Sequence, residues 1–334
     1  MTVQQALRIV DEDEAGIDNA FRRDVLTGLS EPQKAVPARW FYDERGSELF
    51  EDITRLPEYY PTRAEKEILR AHGGDFRRCI GAGRAVVEFG SGSSAKTPLL
   101  LKAIDPAAYV PIDISGEFLR SSADRLADKF PMLPIHPVEA DFTRPVTMPP
   151  EIEGAPRLGF FPGSTIGNLV PRTAVDMLRG MRETLVAGSP SDKPPLLLIG
   201  MDRIKSRKVL IPAYDDAQGV TAAFNLNLLT RINRELNGTM PVDAFRHKAV
   251  WNDDIARVEM HLEAQRDIAF TVCERSFTMK AGETIHTENS HKYGRRSAAA
   301  LLLAGGWTPL ERWNDHDSRF MVILAEASPL RSAP

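Results

Sequence analysis

Cysteine is nearly missing from this sequence. Cys79 and Cys273 stand far apart and in no ligand-type spacing. That pattern excludes a disulfide framework and a cysteine-rich zinc site, and it fits a reducing cytoplasm. Long apolar runs are missing as well: none approaches the ~20 residues that a membrane-spanning helix needs. Nor is there an excess of basic charge. Lys and Arg together number 42 against 46 Asp and Glu, leaving a net charge of −4, so the composition offers no general attraction to nucleic acid. The first residues are too acidic and too polar for a secretory signal. No internal repeat or low-complexity segment is evident. The expectation is a cytoplasmic, monomeric protein that binds neither nucleic acid nor membrane.

What is present is ordinary for a globular chain. Its 334 residues are 43% hydrophobic and 26% charged, enough for one domain with a sizeable insertion or for two domains. Helical spacing runs over 21–29 and 46–56, the second with Leu49, Phe50 and Ile53 inward. Tyr59 and Tyr60 precede Pro61 and are predicted to be extended or in a turn. A helix over 64–72 is predicted to end at Gly73 and Gly74. Beyond it, apolar strands at 84–89, 109–115, 134–142, 157–162 and 194–202 alternate with helical patterns at 95–104, 116–129 and 173–186. This rhythm predicts an α/β fold with a mostly parallel sheet covered on both faces. After Asp202 the pattern changes. An amphipathic helix within 214–236 is followed by alternating, paired strands from 245 to 277 and a polar loop over 280–293. A helix over 293–304 and a hairpin of 307–313 with 319–327 then close the parallel-sheet domain. The expected division is 1–202 plus 288–334 as one domain, with 203–287 inserted into it.

In sheets of this kind the ligand lies outside the carboxyl ends of the strands. Gly90, Asp113, Asp141, Asn168 and Asp202 all fall at such ends. Gly90 and Gly92 permit a tight turn and close approach of a ligand to the backbone. With Ala95 they match the dinucleotide fingerprint, and Asp113 sits where ribose hydroxyls would be taken. A dinucleotide, however, would bring its pyrophosphate among Glu88 and Asp113. An acid just ahead of the turn suits a cofactor that carries a cation. S-adenosylmethionine has a sulfonium and an ammonium and no phosphate. Glu88 and the glycine turn suit its methionine end, Asp113 its ribose, Asp141 its adenine amino group and Phe142 its ring. The residues favour this methyl donor, with a dinucleotide as the alternative.

Five stretches in register resemble the L-histidine Nα-methyltransferases of ergothioneine biosynthesis. They are TRLPEYYPTRAE at 54–65, EFGSGSSAKT at 88–97, FPGSTIGN at 161–168, AYDDAQGVTAAFN at 213–225 and GETIHTENS at 282–290. The resemblance spans about 20 to 328. It implies a Rossmann-like class I methyltransferase domain (1–202 plus 288–334) and an inserted α+β substrate-binding domain (203–287). It also implies a metal-free reaction in which three methyl groups pass from S-adenosylmethionine to the α-amine of L-histidine, giving hercynine (Nα,Nα,Nα-trimethylhistidine). By the same resemblance, Asn168 and Tyr214 clamp the amino and carboxylate groups of the substrate, and Glu288 and Ser290 read the imidazole. Tyr60 stands at the border of cofactor and substrate, Tyr42 near the amine, and Met260 along the imidazole. Lys96, Gly90, Asp113, Asp141 and Phe142 match the cofactor contacts. Tyr42, Asn168 and Tyr214 are thus the catalytic candidates. The departure is Ser94, where many methyltransferases carry a third glycine.

The chemistry asks for little acid or base power. An α-amine has a reference pKa of about 8, so the neutral amine is accessible near neutral pH. Tyr42 or water can take the protons, and the faces of Tyr42 and Tyr60 can tolerate the cationic product. Three other readings stand beside this one: methylation of another aromatic amino acid such as tryptophan, a dinucleotide-dependent oxidoreductase, and a ligand-binding protein that kept the fold. His247, His261, His286 and His291 read as surface residues, and the run KSRK at 205–208 as a solvated loop.

Overall fold

The computed structural model describes residues 18–92, 96–114 and 116–328; Ser94 and Ala95 lie outside them. The chain divides into two compact units. One comprises 18–60 and Lys205–Ser290, the other Pro61–Ile204 and 291–328. The chain therefore passes from one unit to the other after Tyr60, Ile204 and Ser290.

The second unit is built on a seven-stranded sheet. Its strands, in spatial order, are Trp307–Asn314, Phe320–Ala327, Leu196–Asp202, Arg157–Phe161, Ala85–Phe89, Ala108–Asp113 and Val138–Glu139. All run parallel except Phe320–Ala327, which pairs antiparallel with both neighbours. The central strands are buried along their whole length. That is why, Glu88 and the terminal Arg157 and Asp202 apart, they read as near-continuous apolar runs and not as alternating ones. The helices Pro61–Ala71, Gly73–Ile80 and Thr97–Ile104 contribute Ile68, Phe76 and Leu100 to one core, and Pro171–Val186 and Arg295–Ala304 contribute Leu178 and Leu302 to another. From Ala85–Phe89 the chain winds outward through Ala108–Asp113 to one edge, then returns to start again at Arg157–Phe161. The order reverses between these two central strands, and that switch point is where such sheets open a ligand crevice.

Three local expectations are corrected here. The predicted strand at 134–142 is reduced to Val138–Glu139 and a single bridge from Ile135 to Tyr109, because Pro134 and Pro137 have no amide to give to a ladder. Gly73 and Gly74 do not merely end a helix. They open the next one, Gly73–Ile80, with His72 at its N-cap and Asp75 in its first turn. The predicted polar loop at 280–293 contains a strand, Thr284–His291.

The first unit packs a helix against a smaller sheet. Its strands, in order, are Lys34–Ala35, Thr284–His291, Arg257–Ala264 and Phe245–Asn252, with a separate hairpin of Ile268–Val272 and Arg275–Met279. Val258, Met260 and Leu262 are buried while Glu259, His261 and Glu263 between them are not, the period-two signature of a sheet covered on one face. The covering helix is Val220–Glu235, with Phe224, Leu228 and Ile232 in the core. The expected boundaries placed residues 1–60 with the parallel sheet. Instead, Phe21, Val25, Leu29, Phe41, Leu49 and Ile53 bury themselves in this first core. The helix Glu44–Ile53 lies along Val220–Glu235, and Asp43 ties the two: it caps its own helix through Gly46 N and accepts from Asn227 and Arg234.

Candidate functional site

At the switch point of the parallel sheet the chain turns on Gly90 and Gly92, both at positive φ. A Cβ on Gly90 would stand 3.0 Å from the Phe142 ring, so turn and ring are packed as one surface. Phe142 is held edge-on to Phe89 and Phe161. The Gly92 amide donates to Asp113 Oδ2 at 3.0 Å, which ties the turn to the next strand. Asp141 turns back on its own loop, accepting from Thr143 N at 3.0 Å and Thr143 Oγ1 at 2.6 Å. Glu88 is fully buried, and its Oε2 accepts from Thr97 Oγ1 and Tyr109 OH. Burial pushes its carboxyl up to about 7, against the pull of those two donors. The hydroxyl of Ser91, three residues on, is buried and makes no hydrogen bond.

These features fit S-adenosylmethionine. A buried acid with a raised pKa is what a ligand cation would relieve. The buried Ser91 hydroxyl still has a donor and acceptor to offer, and the turn–ring surface suits an apolar, aromatic ligand group.

Lys96 is placed differently from a simple ligand contact. Its ammonium forms an ion pair with Glu65, a residue that sequence reasoning passed over although it closes the first of the matching stretches. Glu65 is fully buried and also accepts from Gly163 N at 2.9 Å. Room for it comes from Gly200 in the neighbouring strand, where a Cβ would lie 2.0 Å from Glu65 Oε1. Asn168 ends the short 3-10 helix Thr165–Asn168 after the strand Arg157–Phe161. Asp202, also at a strand end, is buried in an ion pair with Lys292 at 2.8 Å, which makes it part of the framework.

The first unit gathers the remaining candidates. Tyr214 OH and Ser290 Oγ are hydrogen-bonded at 2.7 Å, and both side chains are buried. The Tyr214 ring meets Tyr59 edge-on, with centroids 6.4 Å apart. The Tyr60 hydroxyl accepts from Lys205 Nζ at 2.7 Å, and the ammonium lies at that hydroxyl edge, 4.5 Å from the ring centre. Lys205 is therefore no solvated loop residue. Tyr42 is 44% exposed and packs edge-on against Phe50 and Phe224. Glu288 lies on the strand Thr284–His291, two residues before Ser290, so the two side chains share a face. Met260 is buried in the core, on the helix-covered face of its own strand.

The histidines are corrected. His247 is buried, not on the surface, and donates from Nε2 to the Tyr214 carbonyl at 2.7 Å while Nδ1 accepts from Asn225 at 2.9 Å. Burial lowers its pKa, which leaves it neutral and suited to those two bonds. The pair thus holds the Tyr214 backbone in place; Asn225 closes the stretch 213–225, the one signal that pointed to it. His291 is buried as well, and His261 and His286 stack on one another.

The family model for the histidine-specific, SAM-dependent methyltransferases matches residues 21–327. The chain belongs to this family. Its cofactor is S-adenosylmethionine and its fold the Rossmann-like class I methyltransferase fold, a conclusion the strand order supports independently. Among curated relatives, the histidine N-alpha-methyltransferase of Mycolicibacterium smegmatis is 40% identical over 92% of this chain and 94% of that protein. Ergothioneine biosynthesis protein 1 of Neurospora crassa is 29% identical over 90% of the chain, which spans 35% of that longer protein. A 4-dimethylallyltryptophan N-methyltransferase of Claviceps purpurea is 25% identical over 90% of the chain and 93% of its own length. A methyltransferase of this family acts on a small molecule, so a dinucleotide oxidoreductase is not its class. No helix among the described residues is long and apolar enough to cross a membrane.

Proposed function

We propose that the protein transfers three methyl groups from S-adenosylmethionine to the α-amine of L-histidine, giving hercynine in the first step of ergothioneine biosynthesis. The observation that carries this reading is the buried Tyr214–Ser290 hydrogen bond. It joins the residue assigned to the substrate's amino-acid end with one assigned to its imidazole, on a strand that also bears Glu288. A pocket lined with such polar groups favours an imidazole over an indole, because an apolar ring leaves them unpaired. The relative at 40% identity, named for histidine, supports the same choice over the one at 25% named for dimethylallyltryptophan.

When bound, S-adenosylmethionine supplies a methyl group on a cationic sulfur. The protein's own residues have the other tasks. Glu88, Ser91, Asp113, Asp141 and Phe142, with the turn at Gly90 and Gly92, hold the donor; Lys96 braces that site through Glu65. Asn168 and Tyr214 orient the acceptor's amino-acid end, Glu288 and Ser290 its ring, with Met260 behind the strand. No strong base is required, since the amine loses its proton at modest cost near pH 8. Tyr42, half-exposed, is the route by which protons reach solvent. The Lys205 ammonium sits at the hydroxyl edge of Tyr60 and leaves both ring faces uncovered by it. The faces of Tyr42 and Tyr60 tolerate the trimethylated cation, at about 0.5–2 kcal/mol. The Lys205 bond also fixes the Tyr60 oxygen as an acceptor on that side and turns its own O–H toward other partners.

The test is incubation with the methyl donor and each of the twenty amino acids, followed by mass spectrometry. Histidine is expected to gain three methyl groups. A gain on tryptophan with none on histidine moves the assignment to the second substrate, and no gain on any amino acid removes both.

A further inference from the structure

Three titratable side chains converge on the sheet of the first unit without a part in the donor or acceptor assignments. Glu259 and His261 flank Met260 on the strand Arg257–Ala264, and both point away from the face that buries Met260. His286 lies on the neighbouring strand Thr284–His291. The two imidazole rings are stacked, centroids 4.8 Å apart and planes 18° from parallel. Glu259 Oε2 lies 3.1 Å from His261 Nε2. One ligand atom from each of the three lies within 4.8 Å of the other two.

The surrounding contacts occupy the other polar atoms of Glu259 and His286 and leave one ligand atom of each available. Glu259 Oε1 accepts from Arg257 Nε at 2.9 Å, from Arg257 Nη2 and from Asn252 at 3.1 Å, which leaves Oε2 turned to the imidazoles. His286 Nε2 donates to the Glu288 carbonyl at 3.0 Å, so its Nδ1 carries the lone pair. That is the usual arrangement for a metal-binding imidazole, one nitrogen on a carbonyl and the other free to ligate. His261 Nε2 donates to Glu259 Oε2; an ion ligated by Nε2 would leave the ring proton on Nδ1, which is buried and has no hydrogen-bond partner.

We propose that Glu259, His261 and His286 form a binding site for one divalent transition-metal ion of the zinc type. Two imidazole nitrogens and one carboxylate oxygen suit Zn²⁺, Co²⁺ or Ni²⁺; Ca²⁺ and Mg²⁺ demand oxygen donors. Ligands at zinc bond lengths of about 2.0–2.1 Å in a tetrahedron stand roughly 3.3 Å apart. The Oε2–Nε2 pair already meets that spacing; the stacked rings hold their in-plane lone pairs nearly parallel, so one ring turns out of the stack for both nitrogens to reach one ion. All three residues are partly exposed, which leaves the fourth position to water. The ion would staple the strand that bears Met260 to the strand that bears Glu288. The inference holds whichever acceptor is methylated.

Untagged full-length protein, stripped with chelator, is titrated with Zn²⁺ by calorimetry and heated with and without the ion. One ion per chain and a higher Tm are expected. Co²⁺ is expected to give the visible absorption bands of a nitrogen- and oxygen-ligated ion of low coordination number. His286→Asn and Glu259→Gln should each weaken Zn²⁺ binding by about 100-fold, at least the loss seen when a mere supporting contact is removed. Absence of both saturable Zn²⁺ heat and Co²⁺ bands in the wild type overturns the proposal, a result that needs no variant to fold. Unchanged Zn²⁺ affinity in a His286→Asn variant of native circular dichroism overturns it equally.

Discussion

Glu88 is an acid placed where water does not reach it. In the unfolded chain its carboxyl ionises near 4.5, in the folded one near 7. Between those values the native state keeps a proton that the unfolded state has lost. The contribution of this group to stability therefore falls as pH rises through that window, by about 3 kcal/mol when complete. Denaturant melts of the wild type and Glu88→Gln from pH 4 to 8 are expected to diverge in that direction, with the variant gaining. A ligand cation favours the ionised form, so donor binding below about pH 7 should release a proton. Calorimetry in two buffers of different ionisation enthalpy reads this, and identical heats would remove Glu88 from the donor site. At the acceptor, Glu288→Ala is expected to weaken histidine binding by about 10–100-fold, the scale of a lost hydrogen bond to a charged group. Affinity for S-adenosylmethionine should not move. Unchanged histidine affinity in that variant would take Glu288 out of the site.

Among elements, the helix Glu44–Ile53 shows how one polar side chain can fix a packing. Asp43 is its N-cap and at the same time accepts from Asn227 and Arg234 of the helix Val220–Glu235. Burial alone would raise its carboxyl, but Arg234, Gly46 and Asn227 together hold it below the usual range. Its stabilisation is thus present above the ordinary carboxylate pKa and is lost as pH falls through the depressed value. Asp43→Ala is expected to cost about 2–3 kcal/mol, from the cap and from the stranded Asn227 amide. Asp43→Asn should cost less, since it keeps the cap. Equal stability of both variants and the wild type in denaturant would refute the account. Elements with apolar periodicity, such as Asn19–Ser30 and Val220–Glu235, were legible in advance. The strand Thr284–His291 was not, because Ile285 is its one large apolar residue and its backbone partners lie elsewhere in the chain.

For the whole molecule, the informative fact is where residues 18–60 belong. Phe21, Val25 and Leu29 share a core with Phe224, Leu228 and Ile232, across some two hundred residues of sequence. In hydrogen exchange, the amides of Asn19–Ser30 and Val220–Glu235 are expected to lose protection together, as parts of one cooperative unit. If Asn19–Ser30 instead follows the strand Ala85–Phe89, the division is wrong. The first unit would then be the insertion alone, as the sequence pattern suggested.

The sequence by itself determined the parallel sheet, the glycine turn and the family. Each of these is local: an apolar run, a G-x-G spacing, or a stretch of contiguous residues. The tertiary structure decided what lies far apart in sequence. It put Glu65 beneath Lys96 in the space that Gly200 leaves, Lys205 on Tyr60, His247 behind Tyr214, and His261 against His286. A polar side chain carries no periodicity that names its partner. Whether it is solvated or buried and paired depends on which backbone segments meet, and only the folded chain brings them together.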